Sequence, residues 1–183
     1  MPAADLIKIL ILGSGMVATS CLEYLTRNSK NRATLASRNL KTAKELASQF
    51  RNAQPIALDV SSEADLDKHI AAHQVVISLI PCTYHVAVIR SAIKSGTQVV
   101  TTSYVPDAMR ELDEEAKRAG ITVLNEVGFD PGVEETSTPT LELLGDPEGY
   151  SAMALSVVAA CGIATQLLLD EEPALRKPGV HAP

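Results

Sequence analysis

The sequence predicts an α/β fold, a doubly wound parallel sheet with helices on both faces. Three observations predict it. Apolar strand-like runs and helical segments alternate six times between residues 8 and 124, the order that parallel strands joined by crossover helices require. The first run, Lys8 to Leu12, enters the turn Gly13-Ser14-Gly15-Met16-Val17-Ala18 and then a helical pattern. A later run, Val75 to Ile80, is almost wholly apolar, as a strand covered on both faces has to be. Together they specify the Rossmann-type arrangement, with right-handed crossovers and ligands at the C-terminal ends of the strands.

The first turn has the Gly-x-Gly-x-x-Ala spacing of a dinucleotide site. Gly13 permits the tight turn, Gly15 lets the backbone approach a pyrophosphate, and Ala18 lets the helix pack close to the strand. Ser14, Met16 and Val17 complete a turn whose helix N-terminus faces the anion. A glycine turn that serves only strand–helix packing would share these residues. The second strand, Ala33 to Ala36, ends in Ser37-Arg38-Asn39. A site for NAD usually places an acid here for the ribose 2′-hydroxyl, whereas a hydroxyl and a guanidinium suit the 2′-phosphate of NADP. Arg38 could instead solvate the start of the next helix, although cations are disfavoured at a helix N-terminus.

The later elements follow in the same rhythm. A third strand, Pro55 to Leu58, ends at Asp59-Val60, where Asp59 is either a contact near the adenine ribose or an acid at a helix entry. Ile80, Pro81, Cys82 and Thr83 leave the fourth strand and should run past the cofactor, as should Val105 after the fifth strand, Val99 to Thr102. His85 fits the first turn of the next helix and reads as a surface residue rather than a base. The sixth strand is Ile121 to Leu124. Ser62-x-x-Asp65 resembles a capping box, Pro106 suits a first helical turn, and Gly96 and Gly120 suit helix C-caps. Asp113-Glu114-Glu115 reads as a solvated helix face.

Composition narrows the class. An apolar fraction of 46% can support a core, and a net charge of −6 gives no support for nucleic-acid binding. Cys21, Cys82 and Cys161 are widely spaced and odd in number, which suggests a reducing compartment, the cytoplasm, rather than a disulfide framework. His69, His73 and His181 show no metal-ligand spacing, and the start of the chain does not read as a signal peptide. Tyr150 to Leu169 carries no charge and is long enough to suggest a membrane span. Acids flank it and no basic cluster orients it. Ala152, Ser156, Ala160 and Ala164 fall four apart, a stripe that predicts a helix packed closely on the sheet domain.

Several stretches carry a family resemblance. They are Leu12-Gly13-Ser14-Gly15, Ala36-Ser37-Arg38, Leu58-Asp59-Val60, Val76 to Pro81, Val99 to Val105, Gly120 to Val123, and Asn125-Glu126-Val127-Gly128-Phe129-Asp130-Pro131-Gly132. In order and spacing they resemble saccharopine reductase, the NADP-dependent, L-glutamate-forming saccharopine dehydrogenase of the aminoadipate route to lysine. Gly149 to Leu155 and Lys177 to Pro183 resemble that family's C-terminal segment. Cys82 stands where the family resemblance leads one to expect an aromatic residue.

The resemblance implies a nucleotide-binding unit over residues 1–133, a joining loop over 134–148 where the family's central substrate domain is missing, and a segment over 149–183 that packs back. It also implies an oxidoreductase acting on the CH–NH bond of saccharopine, or on glutamate plus aminoadipate semialdehyde in reverse. Ser103, Tyr104 and Asp130 match family positions near substrate and cofactor. Asp130 could orient the amine or a water, Tyr104 could donate a hydrogen bond, and Glu126 is a third candidate proton carrier. Each also has a plain structural role open to it: Asp130 as a turn residue before Pro131-Gly132, Ser103 as a helix cap, Tyr104 as packing. Saccharopine carries three carboxylates, and Arg90, Arg110 and Arg118 fall within predicted helices, so no cationic cluster is left near Tyr104 and Asp130. Turnover by the chain alone should therefore be poor. The alternative is a non-catalytic NADP(H)-binding or assembly module, pairing as a homodimer or with a longer relative.

Overall fold

The computed structural model describes residues 6–15, 17–127, 158–175 and 177–182. Met16, Asp130, the joining segment 134–148, and Ala152 and Ser156 of the small-residue stripe lie outside the described residues.

Seven parallel strands form one sheet in the order β3-β2-β1-β4-β5-β6-β7. They are β1 Ile7–Leu12, β2 Asn31–Ser37, β3 Ala53–Ala57, β4 Val75–Ser78, β5 Gln98–Thr101, β6 Thr122–Leu124 and β7 Gly179–His181. The chain reverses its direction of travel across the sheet between β1 and β4, which opens a crevice at their C-terminal ends. The six sequence-predicted strands are all present. The fourth is shorter than its apolar run, because Leu79 and Ile80 leave the sheet to line the crevice. The seventh strand is not legible in residues 179–181, since a three-residue edge strand is too short to show a period. Pro55 sits in β3, at the sheet's edge, where a missing amide hydrogen costs no ladder bond.

The helices are α1 Ala18–Thr26, α2 Leu40–Ala47, α3 Glu63–Ala71, α4 His85–Ser95, α5 Asp107–Arg110, α6 Asp113–Ala119 and α7 Ala159–Leu169. They divide between the two faces. One core joins Ile9, Ile11, Leu35, Val75 and Ile77 to α1, α2 and α7. The other joins Leu10, Leu12, Val76 and Val99 to α3, α4, α5 and α6. Ile9 to Leu12 are each fully buried, and burial of each such side chain is worth about 1.5–3 kcal/mol. Gly96 and Gly120 end α4 and α6 in the left-handed conformation. Ser62 is the N-cap of α3, but its hydroxyl donates to the Asp65 carboxylate rather than closing a capping box on the backbone. Pro106 is the N-cap of α5, one residue ahead of the first turn.

α7 packs against α1, β4 and β5, on the face that α1 and α2 leave open. At Gly162 an added Cβ would come 3.3 Å from the Tyr24 ring. Val158, Cys161, Gly162 and Thr165 form its buried face, while Ala160 and Ala164 are only half-buried. Ala160 and Ala164 of the predicted stripe do pack against the core, but the most buried positions of the described helix are Cys161, Gly162 and Thr165 beside them. Gln166 accepts the Asn31 side-chain N–H at 2.8 Å and pins α7 to the start of β2. Among the described residues no helix is long and apolar enough to cross a membrane.

Candidate functional site

Backbone bonds hold four strand ends together around the crevice. The Gly13 N–H donates to the Ala36 carbonyl at 2.9 Å, Leu79 to Leu12 at 2.9 Å, and Leu58 to Ser37 at 3.1 Å. The resulting cleft is about 930 Å³ and is lined by Gly13, Ser37, Arg38, Lys41, Val60, Ile80 and Tyr84, among others. A second hollow of about 710 Å³ at the opposite, N-terminal ends of the strands is lined by none of the predicted site residues.

The first turn fits a dinucleotide. Gly13 has φ +110, and a Cβ there would come 2.9 Å from the Leu79 carbonyl oxygen, so only glycine is accommodated. A Cβ at Gly15 would meet nothing within 4 Å; the space beside it is open to a ligand. Ala18 is fully buried against the sheet. The N-cap of α1, Val17, offers no capping side chain, and no acid sits in its first turn. The Ala18 amide donates to the Gly15 carbonyl at 2.9 Å, and no side chain at this helix start would repel an anion.

The end of β2 carries the second part of the cleft. Ser14 Oγ donates to Ser37 Oγ at 2.9 Å, and the Asn39 amide donates to the same oxygen at 3.2 Å. Asn39 caps α2, its side chain accepting from Lys41 and Thr42. Arg38 is exposed at the rim and makes no side-chain hydrogen bond or ion pair with the described residues, although its charge acts on Asp59. Lys41 adds a second cation to this wall. Sequence reasoning missed it; its place in the first turn of α2, three residues after Arg38, was the available signal.

Other predicted residues are distributed unequally. Val60 and Ile80 line the cleft, but Asp59 and Thr83 do not. Asp59 accepts the amide and hydroxyl of Ser61, which with the Arg38 charge hold its carboxyl below the usual range; it is a turn residue at the entry to α3. Thr83 and Cys82 are exposed in a short 3-10 turn, and Tyr84 takes the lining position instead. Ser103, Tyr104 and Val105 leave β5 together; Tyr104 is 62% exposed. Ser103 caps no helix. Its carbonyl accepts the Glu126 amide at 3.1 Å, and Glu126 Oε1 accepts the Val105 amide at 3.1 Å. Glu126 has φ 57, a strained value for a residue with a side chain. Its carboxylate is engaged as a clamp on the Tyr104 loop.

Two expectations from sequence need correction. His85 is not a surface residue: it is 1% exposed, with Nε2 2.9 Å from the Ile80 carbonyl and Nδ1 3.3 Å from Thr101 Oγ1. The signal was present, since positions 85, 88, 89 and 92 make one buried helix face. Asp113 is not simply solvated. Its Oδ1 accepts the Val180 amide at 2.8 Å on the outer edge of β7, and its Oδ2 lies 2.7 Å from Lys117 Nζ.

Fold and cleft together define a dinucleotide-binding domain of the Rossmann class. The chain belongs to the saccharopine dehydrogenase family through its NADP-binding domain, whose family model matches residues 9–124. It is 52% identical over 127 residues to the saccharopine dehydrogenase [NADP(+), L-glutamate-forming] of Pyricularia oryzae, covering 69% of this chain and 28% of that protein. The apo saccharopine dehydrogenase (L-Glu forming) of Saccharomyces cerevisiae superposes with a TM-score of 0.66 at 47% identity, over 69% of this chain and 28% of that one. A Rossmann-fold NAD(P)-binding family protein from Shigella flexneri, 15% identical, shares the fold over 96% of this chain and 92% of its own, with a TM-score of 0.57. The chain thus spans under a third of the length of the saccharopine dehydrogenases it matches. NADP is the cofactor of this domain.

Proposed function

We propose that this chain is the NADP(H)-binding part of a saccharopine dehydrogenase (NADP+, L-glutamate-forming)-like oxidoreductase of lysine biosynthesis, and that it turns over weakly by itself. The observation that carries the reading is the cleft wall at the end of β2, where Ser37, Arg38 and Lys41 meet the glycine turn. Gly13, Ser14, Gly15, Met16 and Val17 would hold the pyrophosphate, and Ser37 and Arg38 the 2′-phosphate, with Val60 and Ile80 as further walls; Val105 lies outside the lining of the cleft.

Bound NADP(H) supplies or accepts the hydride at the CH–NH carbon. The chain's own residues would orient the reactants. Tyr104 would donate a hydrogen bond near the reacting nitrogen, and Asp130 would take or hold its proton. Saccharopine, or glutamate plus aminoadipate semialdehyde, is the small-molecule substrate. We place residues 1–133 and 149–183 in one nucleotide-binding unit joined by 134–148, and the protein in the cytoplasm as a homodimer without nucleic-acid or membrane partners.

A second reading is favoured by one observation. Arg90, Arg110 and Arg118 lie on α4, α5 and α6, and none of them lines the cleft. A tricarboxylate needs several fixed cations, so a non-catalytic NADP(H)-binding or assembly module is the alternative. Two measurements decide. NADPH titration tests the cofactor site, and NADP+ reduction with excess saccharopine tests turnover. Turnover on the order of 1–10³ s⁻¹, usual for enzymes, would overturn the weak-catalysis claim; tight NADPH binding with no turnover at all would favour the module.

A further inference from the structure

We propose that His85 is a positioning residue for the cofactor cleft, locking the loops that leave β4 and β5 into the shape the nucleotide meets. The inference rests on the cleft being the NADP(H) site.

The hydrogen-bond partners fix the direction of the network. A carbonyl only accepts, so the Nε2 that lies 2.9 Å from the Ile80 oxygen carries the ring hydrogen. Nδ1 is then the acceptor for the Thr101 hydroxyl at 3.3 Å. Thr101 Oγ1 in turn accepts the Ser103 amide at 3.2 Å. One ring therefore joins Ser103, at the root of the Tyr104 loop, to Ile80, which lines the cleft. The bond to Ile80 spans the turn from Pro81 to Tyr84, which the Tyr84 amide closes on the Pro81 carbonyl at 3.1 Å.

Packing alone does not call for a histidine here. The position belongs to the apolar face of α4 with Val88, Ile89 and Ala92, and a leucine would fill it without desolvating two ring nitrogens. Burial holds the imidazole below its ordinary pKa, opposed only by the Ile80 carbonyl, and no charged side chain contributes. The ring is sealed from the cleft and carries no charge at neutral pH. What it supplies is two directional bonds to two neighbouring loops.

The test uses the full chain and NADPH titration under conditions where every variant is folded by circular dichroism. His85→Leu keeps the volume and loses both bonds; its NADPH affinity should fall about tenfold or more. His85→Gln can still donate to the Ile80 carbonyl and should stay within about threefold of the unaltered chain. Ile89→Ala removes bulk from the same helix face without touching either loop; it should lower thermal stability and leave NADPH affinity unchanged. Thr101→Val should weaken NADPH binding and speed amide exchange at Ser103 in the cofactor-free protein. Unchanged affinity in folded His85→Leu, or equal affinity losses in His85→Leu and Ile89→Ala, overturns the inference. If His85→Leu does not fold, unchanged affinity and unchanged Ser103 exchange in Thr101→Val overturn it. An unaltered chain that fails to bind NADPH overturns the cofactor reading itself, a result the exchange measurement on cofactor-free protein keeps distinct.

Discussion

Ser14 Oγ donates to Ser37 Oγ at 2.9 Å, tying the glycine turn after β1 to the end of β2. Because Ser37 also accepts the Asn39 amide, its own hydroxyl hydrogen is left to donate toward the cleft. A ribose hydroxyl could accept that bond too, but only a 2′-phosphate would add the negative charge that the Arg38 guanidinium beside it can pair with, so we propose that this arrangement favours the phosphorylated cofactor.

Arg38→Ala should therefore erase most of the preference for NADPH over NADH. Loss of a charge-assisted contact costs about 1.5–3 kcal/mol, roughly 10–100-fold in affinity. NADH affinity should change little. Parallel titrations of both cofactors check this, and equal binding of the two by the unaltered chain would contradict the assignment.

Glu126 clamps the loop that carries Tyr104. Glu126→Ala leaves the Val105 amide without its acceptor and should cost about 1–3 kcal/mol. Glu126→Gln retains an acceptor oxygen and should cost much less. The Val105 amide should exchange with solvent faster in the alanine variant than in the glutamine variant.

Gly162 sets the distance between α7 and α1. Gly162→Val would drive a branched side chain into Tyr24, at a cost of about 1–3 kcal/mol. Ala164→Val, one half-turn along and half-buried, should cost less. Thermal denaturation of the two variants ranks them, and the reverse order would show that the helices meet elsewhere.

Stability should fall as acidity rises through the histidine range. Burial holds both His73 and His85 below their ordinary value of 6.5. The unfolded chain then binds more protons than the folded one between that value and the lowered ones. Stability is fully present above about pH 6.5 and is lost as pH falls through the folded pKa values. Denaturant titrations from neutral to mildly acid pH should show this slope, and His85→Gln should make it shallower. A slope unchanged by that substitution would assign the effect to His73 or to other groups.

Asp113 covers the open edge of the sheet. Its carboxylate occupies the Val180 amide that faces away from β6, a free strand edge being a template for pairing with another chain. Asp113→Ala should destabilise by about 1–2 kcal/mol and raise the tendency to associate, read by light scattering at increasing concentration.

The six principal strands, the glycine turn and the helix-ending glycines were legible because each rests on local chemistry: an apolar run, a positive φ, a period of two or of 3.6. Gly13 needs to be glycine for the turn it makes, and the same residue type would serve in any homologous strand–turn–helix. What tertiary structure decided lies where two distant segments meet. β7 exists because residues 179–181 find β6 and because Asp113, 67 residues away, satisfies the outer amide. His85 reads as an exposed polar residue by type, yet the Ile80 carbonyl and Thr101 hydroxyl bury it. Glu126 reads as a proton carrier, yet the Val105 amide claims its carboxylate. A polar side chain's role depends on which partner the fold brings within about 3 Å, and that partner is set by topology rather than by the residues beside it in the chain.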